Sequence, residues 1–377
     1  MNKIFLDNNS TTPLDPIVLD EMIPFFTHKF GNPSSRTHAF GWEAEANVEK
    51  ARTQISELIN SEPNEIIFTS GATESNNLAI QNIMSFQDEK HIITMQSEHK
   101  AVIDICEFLK KRGVKITYLK PMINGIIDIE TLKKNINENT KLISIMHANK
   151  EIGVIQPINQ IGKICKENNI LFHVDAAQSI GKINVNVKEM NVDYLSISGH
   201  KIYGPKGVGC LYINKKAKKI SPLIWGGNQE KGLRPGTLAV PLIMGLAKAC
   251  EISQKNIYKE AKNILDLRNS LLDQIKSEIP NLIINGDLEQ RLPGNINITF
   301  PSLRGQTIIP MLSSIAISSG SACTSSFSKP SHVLKSIGQN NLLSNSSIRI
   351  GIGRFNTKQD IITAAQIIIK SVKKKSL

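Results

Sequence analysis

A chain of 377 residues, 40% of them hydrophobic, is too long for one simple core and has apolar content for two domains of unequal size. Five cysteines, an odd number without CxxC spacing, argue against a disulfide frame and a zinc site and point to a reducing compartment. The formal net charge of +12 raises nucleic acid as a partner, but the lysines are dispersed apart from the tail VKKKSL, and no basic helix laced with aromatics occurs. Acidic protein partners suit such a surface better. MNKIFLDNNSTTP carries too short an apolar run for a signal peptide and no later run reaches membrane-spanning length, so a soluble cytoplasmic protein is expected, without direct nucleic-acid or membrane contact.

In chain order, IFLDNNSTTPLDP is a short extended piece that breaks at Pro13 and Pro16, and GNPSSRTHAFG is a polar loop before a helical pattern from Trp42 to Ile59. Strand-like runs at Ile66 to Thr69, His91 to Met95, Val114 to Leu119, Lys141 to His147 and Leu171 to Asp175 then alternate with helical patterns, including 99–112 and 128–137. Two more strands end at SGHK and in GVGCLYI. Such alternation predicts a mostly parallel sheet covered by helices. WGGNQEKGLRPGT is a Gly-rich loop with Arg234 and Thr237 as polar termini, and Pro241 to Ile279 is one long helix leading to a change of pattern. Strands at Ile296 to Phe300, Ile315 to Ser318 and Ile348 to Ile352, with helices near Gln306 to Ser314 and Thr357 to Lys373, predict a smaller α+β domain joined by the N-terminal segment.

Chemistry concentrates at the strand ends, where ligands of α/β sheets sit. LFHVD delivers the carboxylate of Asp175, and the next run ends in SGHK with the amine of Lys201. A pyridoxal phosphate enzyme needs such a pair, an amine for the Schiff base and a carboxylate that keeps the pyridine nitrogen protonated. SGATESNN opens a helix with Thr73 and Glu74 in its first turn, an anion cradle suited to a phosphate or simply an N-cap. His99 follows another strand end, and Arg349 puts a donor fork suited to a carboxylate on a strand. Cys323, in SSGSACTSSFSKPS, stands apart from Cys106, Cys165, Cys210 and Cys250, which lie in apolar patterns. A thiol among small polar residues is a nucleophile once ionised.

These segments together resemble a family. From LDNNSTTP through GNPSSRTH, TSGATESNN, SEHKA, EIGVIQP, HVDAAQSIGK, SGHKIYGPKG, GLRPGT and SSGSACTS to SSIRIGIGRF, the chain is similar to cysteine desulfurases of the NifS/IscS type, in the class V aminotransferase group. The resemblance implies the aspartate aminotransferase-like fold of PLP-dependent transferases. It comprises a large domain with a mostly parallel seven-stranded sheet over 15–260 and a smaller α+β domain from 1–14 and 261–377. It implies pyridoxal 5'-phosphate bound through Lys201, with Asp175 at the ring nitrogen, Gln178 at the phenolate and His99 stacked on the ring as a proton carrier. Ala72, Thr73, Ser198 and His200 would hold the phosphate, with Thr237 from the other subunit of a homodimer. Arg349 and Asn149 would bind L-cysteine, and Cys323 would take its sulfur as a persulfide for iron–sulfur scaffold and tRNA-thiolation proteins. No resident metal is implied, and transient ligation of an iron–sulfur cluster by Cys323 stays open.

One position departs from the family pattern. Lys150 stands in Asn149-Lys150-Glu151 where the family usually has a second Asn that touches the cofactor phenolate. A cation there disfavours protonation of the nearby imine, so Lys150 is expected to depress that pKa or to swing away, with reduced activity. Competing readings are a selenocysteine lyase, another class V enzyme such as a small-molecule aminotransferase, and a weakened paralogue that serves as a dimeric scaffold. Transamination has no use for the Cys323 thiol, and retention of Lys201, Asp175, His99 and Cys323 speaks against the scaffold.

Overall fold

Runs of four to seven residues rich in Ile, Val and Leu are too short for helices, and when helices cover both faces of a sheet they become its central strands. The computed structural model describes residues 3–217, 220–319 and 330–376. It begins with β1 (Ile4–Phe5), α1 (Pro16–Met22), α2 (Pro24–Thr27) and α3 (Ala39–Ile59). There follow β2 (Ile66–Thr69), α4 (Ala72–Gln81), β3 (His91–Met95), α5 (Lys100–Lys110), β4 (Lys115–Leu119), α6 (Ile129–Asn135), β5 (Thr140–Met146), α7 (Ile158–Glu167), β6 (Leu171–Asp175), β7 (Tyr194–Ser198) and β8 (Gly209–Ile213). After α8 (Val240–Glu278) come β9 (Ile283–Ile284), β10 (Asn295–Thr299), β11 (Ile315–Ala316), α9 (His332–Ser336), α10 (Asn341–Asn345), β12 (Ser347–Gly351) and α11 (Lys358–Ser376).

Among the described residues β2 to β8 form one seven-stranded sheet in the order β2-β8-β7-β6-β5-β3-β4. Every pairing is parallel except those of β8, which is antiparallel to β2 and β7. The C-terminal ends of the six parallel strands therefore share one edge. α3 shows why the helices pack as they do: Ala44, Val48, Ala51, Ile55 and Ile59 recur at three- and four-residue steps and are all buried. Burial of each such Val or Ile contributes about 1.5–3 kcal/mol. The helix stops at Asn60, whose φ of 57° ends the α-conformation.

A second core forms around an antiparallel sheet β12-β10-β9, with Leu6, Ile296, Ile298, Phe300, Ile348, Ile350 and Ile368 among its buried residues. α8 spans the two cores: Val240, Ile243, Met244, Leu246, Ala247, Ala249 and Cys250 are buried in the first, Leu271, Leu272 and Ile275 in the second. β1 pairs with β11, and Asp7 and Ser318 bridge to Gly351 and Arg349, so the N-terminal segment reaches the small sheet.

Two local expectations change. The helix expected at Gln306 to Ser314 is only a 3₁₀ turn at Ile309–Met311, because Pro310 donates no backbone hydrogen bond and Arg304 and Gly305 hold φ of 47° and 87°. The break expected at Pro16 is instead the start of α1, where the Asp15 carboxylate accepts from the Ile17 N–H at 3.0 Å and Pro16 occupies the first turn.

Candidate active site

The segments that follow β2, β3, β5, β6 and β7 converge at the shared strand edge around a cavity of about 640 Å³. Ala72, Thr73, His99, Asn149, Lys150, Asp175, Gln178, Ser198, His200, Lys201 and Arg349 line it. Thr237 does not: it is exposed, just before α8. Cys323 lies outside the described residues.

Lys201 ends the short turn after β7 and donates to the carbonyl of Asn9 at 2.9 Å and to that of Ser10. Its pKa is pushed down to about 7, first by burial and then by the charges of Lys182, Lys150 and Arg349, with Asp175 opposing. A substantial neutral fraction at physiological pH makes this amine a nucleophile. Asp175, at the end of the adjacent parallel strand β6, accepts from Asn76 Nδ2 at 2.8 Å and from the Ala177 N–H at 3.0 Å. Burial raises its pKa, while those two bonds and the charges of Lys201 and Lys150 hold the carboxylate down.

Opposite this pair, α4 opens on Gly71 with Thr73 in its first turn, whose N–H groups have no acceptor within the helix. The turn sits close to β8: a Cβ on Gly209 would lie 2.3 Å from the Ile197 carbonyl and 2.7 Å from Gly71 Cα, so only glycine permits the approach. Ser198 and His200 line the same cavity. Burial, and then the neighbouring lysines, lower the His200 pKa to about 4, which leaves a neutral ring as donor or acceptor.

His99 N-caps α5, its Nδ1 accepting from the Ala101 N–H at 3.1 Å. Its pKa falls to about 3 through burial and the charges of Lys150, Lys201, His332 and Lys100. Gln178 donates to the Asn9 carbonyl at 2.9 Å and accepts from Lys182 at 3.2 Å, leaving one amide N–H uncommitted to these two partners. Asn149 is occupied otherwise than expected for a substrate contact: its amide donates to the Ser97 carbonyl at 2.9 Å and its oxygen accepts from the N–H groups of Glu151 and Ile152. It shapes the loop that carries Lys150. Arg349, 4% exposed, pairs with Asp7 at 2.6 Å, and its Nε has no partner among the described residues.

Sequence reasoning assigned no role to several residues of this site. Asn9 and Ser10 arrive from the N-terminal loop and hold Lys201. Asn76 is a polar residue on the buried face of α4, and an Asn in an apolar stripe was the available signal. Glu98 and Glu151 are buried carboxyls of the cavity wall, each with one oxygen lacking a partner among the described residues. Burial drives Glu98 far above the carboxylate range, aided by Asp175, and raises Glu151 to about 7 against the pull of Ser331, Arg349 and Lys150. His332, at the start of α9, also lines the cavity.

The donor set fits pyridoxal 5'-phosphate. The buried amine of Lys201, a buried carboxylate on the neighbouring strand and a hydroxyl-bearing helix start surround a space that holds a flat ring, and the described residues contain no cluster able to bind a metal ion. No helix of the described residues is long and apolar enough to cross a membrane.

Comparison with known proteins adds an independent line. The family model described as "Aminotransferase class-V" matches residues 4–363. A curated protein of Rickettsia bellii named "Cysteine desulfurase IscS" is 53% identical over 374 residues, covering 98% of this chain and 91% of that one. A solved structure titled "NIFS-LIKE PROTEIN" superposes with a TM-score of 0.92 at 38% identity, covering 99% of this chain and 100% of the other. Another, titled "SspA in complex with cysteine", gives 0.82 at 36% identity over 94% and 100%.

Proposed function

Because the chain belongs to the class V aminotransferase family and shares over half its residues with a cysteine desulfurase relative, we propose that it is a cysteine desulfurase converting L-cysteine to L-alanine. The observation that carries the reading is the juxtaposition of Lys201, an amine with a pKa near 7, and Asp175 at adjacent strand ends inside one cavity.

When bound, pyridoxal 5'-phosphate supplies an aldehyde that captures amines and a ring that drains electrons from the substrate α-carbon. Lys201 would hold its aldehyde carbon, Asp175 its ring nitrogen, Gln178 its phenolate oxygen and His99 its ring face. Ala72, Thr73, Ser198 and His200 would hold its phosphate, with Thr237 from the second subunit of a homodimer. Lys201, once displaced by substrate, is the base that removes the α-proton, and its lowered pKa suits that task. Arg349 orients the substrate carboxylate, with its Nε as the uncommitted donor. Asn149 acts through the loop that it braces. Cys323 attacks the substrate sulfur and carries it as a persulfide, and passage to iron–sulfur scaffold and tRNA-thiolation proteins completes the cycle.

Several features support the assembly. Phe26, Phe30, Phe40, Trp42 and Trp225 are each more than half exposed, and Phe30 stacks on Phe40; burial of such aromatics is what a homodimer would supply. The change of core along α8 agrees with a large domain over 15–260 and a small one from 1–14 and 261–377. The four buried, unpaired cysteines among the described residues support residence in a reducing compartment such as the cytoplasm.

Release of alanine and sulfide from L-cysteine tests the proposal, with Lys201→Ala and Cys323→Ala as controls. Loss of alanine in each variant is expected. Undiminished alanine without Cys323 would favour a selenocysteine lyase type of path, and no alanine from the wild type would leave a scaffold.

A further inference from the structure

We propose that Arg234 is a positioning residue of the cofactor site, which neutralises Glu74 and so lets the start of α4 accept a phosphate dianion. The inference rests on the reading of that turn as the phosphate site and assigns two residues that the reading does not use.

α4 starts at Gly71, which supplies no side-chain cap, and its first turn carries Glu74. A carboxylate there suits the helix dipole, but it is an anion on the turn that is to hold another anion. Glu74 lines the same cavity as Ala72, Thr73 and Ser198. Both of its oxygens are engaged: Oε2 accepts from the Ser70 N–H at 2.7 Å, and Oε1 accepts from Arg234 Nε at 3.0 Å. Arg234 comes from the Gly-rich loop before α8, 160 residues further along the chain. The two side chains are 26% and 20% exposed, so solvent screens their charges only in part.

A phosphate monoester carries about two negative charges at pH 8. Held by the N–H groups at the start of α4, it has the Glu74 carboxylate on the same turn, and an uncompensated carboxylate repels it. With the guanidinium on Oε1 the pair is neutral as a whole, and the N–H groups and the hydroxyls of Thr73 and Ser198 attract the phosphate unopposed. A proton on Glu74 does not do this work instead. Burial raises the Glu74 pKa, but the bonds from Ser70 and Arg234 and the charge of Arg234 outweigh it, and the group stays ionised. Lys201 and Lys206 also line the cavity and add attraction whether or not Arg234 is present.

The test measures, at pH 8, the dissociation constants of the cofactor-free full chain for pyridoxal 5'-phosphate and for pyridoxal, which lacks the phosphate, from the visible absorbance of the compound linked to Lys201. Their ratio isolates the phosphate, because the bond to Lys201 and the ring contacts are common to both. Arg234→Gln should cut the advantage of the phosphorylated compound by about 10-fold and leave pyridoxal within about 2-fold of wild type. Glu74→Gln, whose amide oxygen can keep the Ser70 bond, should raise that advantage by about 3-fold or more, and the double variant should return to within about 3-fold of wild type. A pair that merely braces the loop carrying Thr237 predicts the opposite for Glu74→Gln. A loss in that variant, no recovery in the double variant, or an unchanged ratio in Arg234→Gln would each overturn the proposal. If Arg234→Gln does not fold, the direction of the change in Glu74→Gln decides alone. Wild-type protein that binds neither compound at Lys201 would refute the cofactor reading, and this inference with it. Binding of both without alanine release from L-cysteine would refute the desulfurase reading only.

Discussion

Lys150 is the position at which the charge of the cavity can be changed most directly. The Lys201 amine is held near pKa 7 by burial, then by Lys182, Lys150 and Arg349. A unit charge on the order of 8 Å away contributes about 2 kcal/mol at an effective dielectric of 20, and solvent in the open cavity reduces this to about 1 kcal/mol, roughly 0.7 of a pKa unit. Lys150→Asn removes a cation from beside a site that binds a proton, so protonation there becomes easier and the pKa rises. The visible absorbance of the cofactor linked to Lys201, titrated from pH 6 to 10, should move its midpoint up by roughly 0.7 unit in Lys150→Asn. Lys150→Arg, which keeps the charge, should titrate like wild type. Superimposable curves for Lys150→Asn and wild type would refute the electrostatic reasoning.

Asp7→Ala strands Arg349, whose side chain is 4% exposed, and should cost about 3–5 kcal/mol in urea unfolding. An unchanged midpoint would mean that the pair is replaced by other contacts. Glu230 accepts two bonds from Arg52 and one from the Phe68 N–H, and so ties the loop before α8 to α3 and β2. Glu230→Ala should lose about 3–5 kcal/mol and weaken any dimer that uses Thr237, read by sedimentation. Burial lowers the Lys182 pKa from 10.5 to about 8, so between these values the unfolded chain binds more protons than the folded one. Stability of the cofactor-free protein should therefore rise with pH across that window, and Lys182→Met should flatten the rise in thermal melts. An identical slope in the variant would assign the effect elsewhere.

Much of the site was legible because its chemistry is carried by residues close to strand ends. Asp175, Lys201, His99 and Thr73 each follow a short apolar run, and a parallel sheet brings all such ends to one edge. Asn9, Ser10 and His332 were not legible as parts of that site, since they come from chain segments far from the sheet strands and meet it only through packing. Helix boundaries shifted where single residues outweigh periodicity, as Pro310 does in cutting a predicted helix to one turn.

Order along the chain, with Ile- and Val-rich runs separated by helical periods, was enough to determine a layered α/β architecture and the identity of the amine and carboxylate at its edge. Tertiary structure alone decided their ionisation and partners. The depressed pKa of Lys201, the commitment of Asn149 to backbone groups, the pairing of Arg349 with Asp7 and the bond of His332 to the Glu98 carbonyl all depend on which groups lie within a few ångströms and how little water reaches them. Those quantities arise from contacts between residues distant in sequence, and no local pattern encodes them.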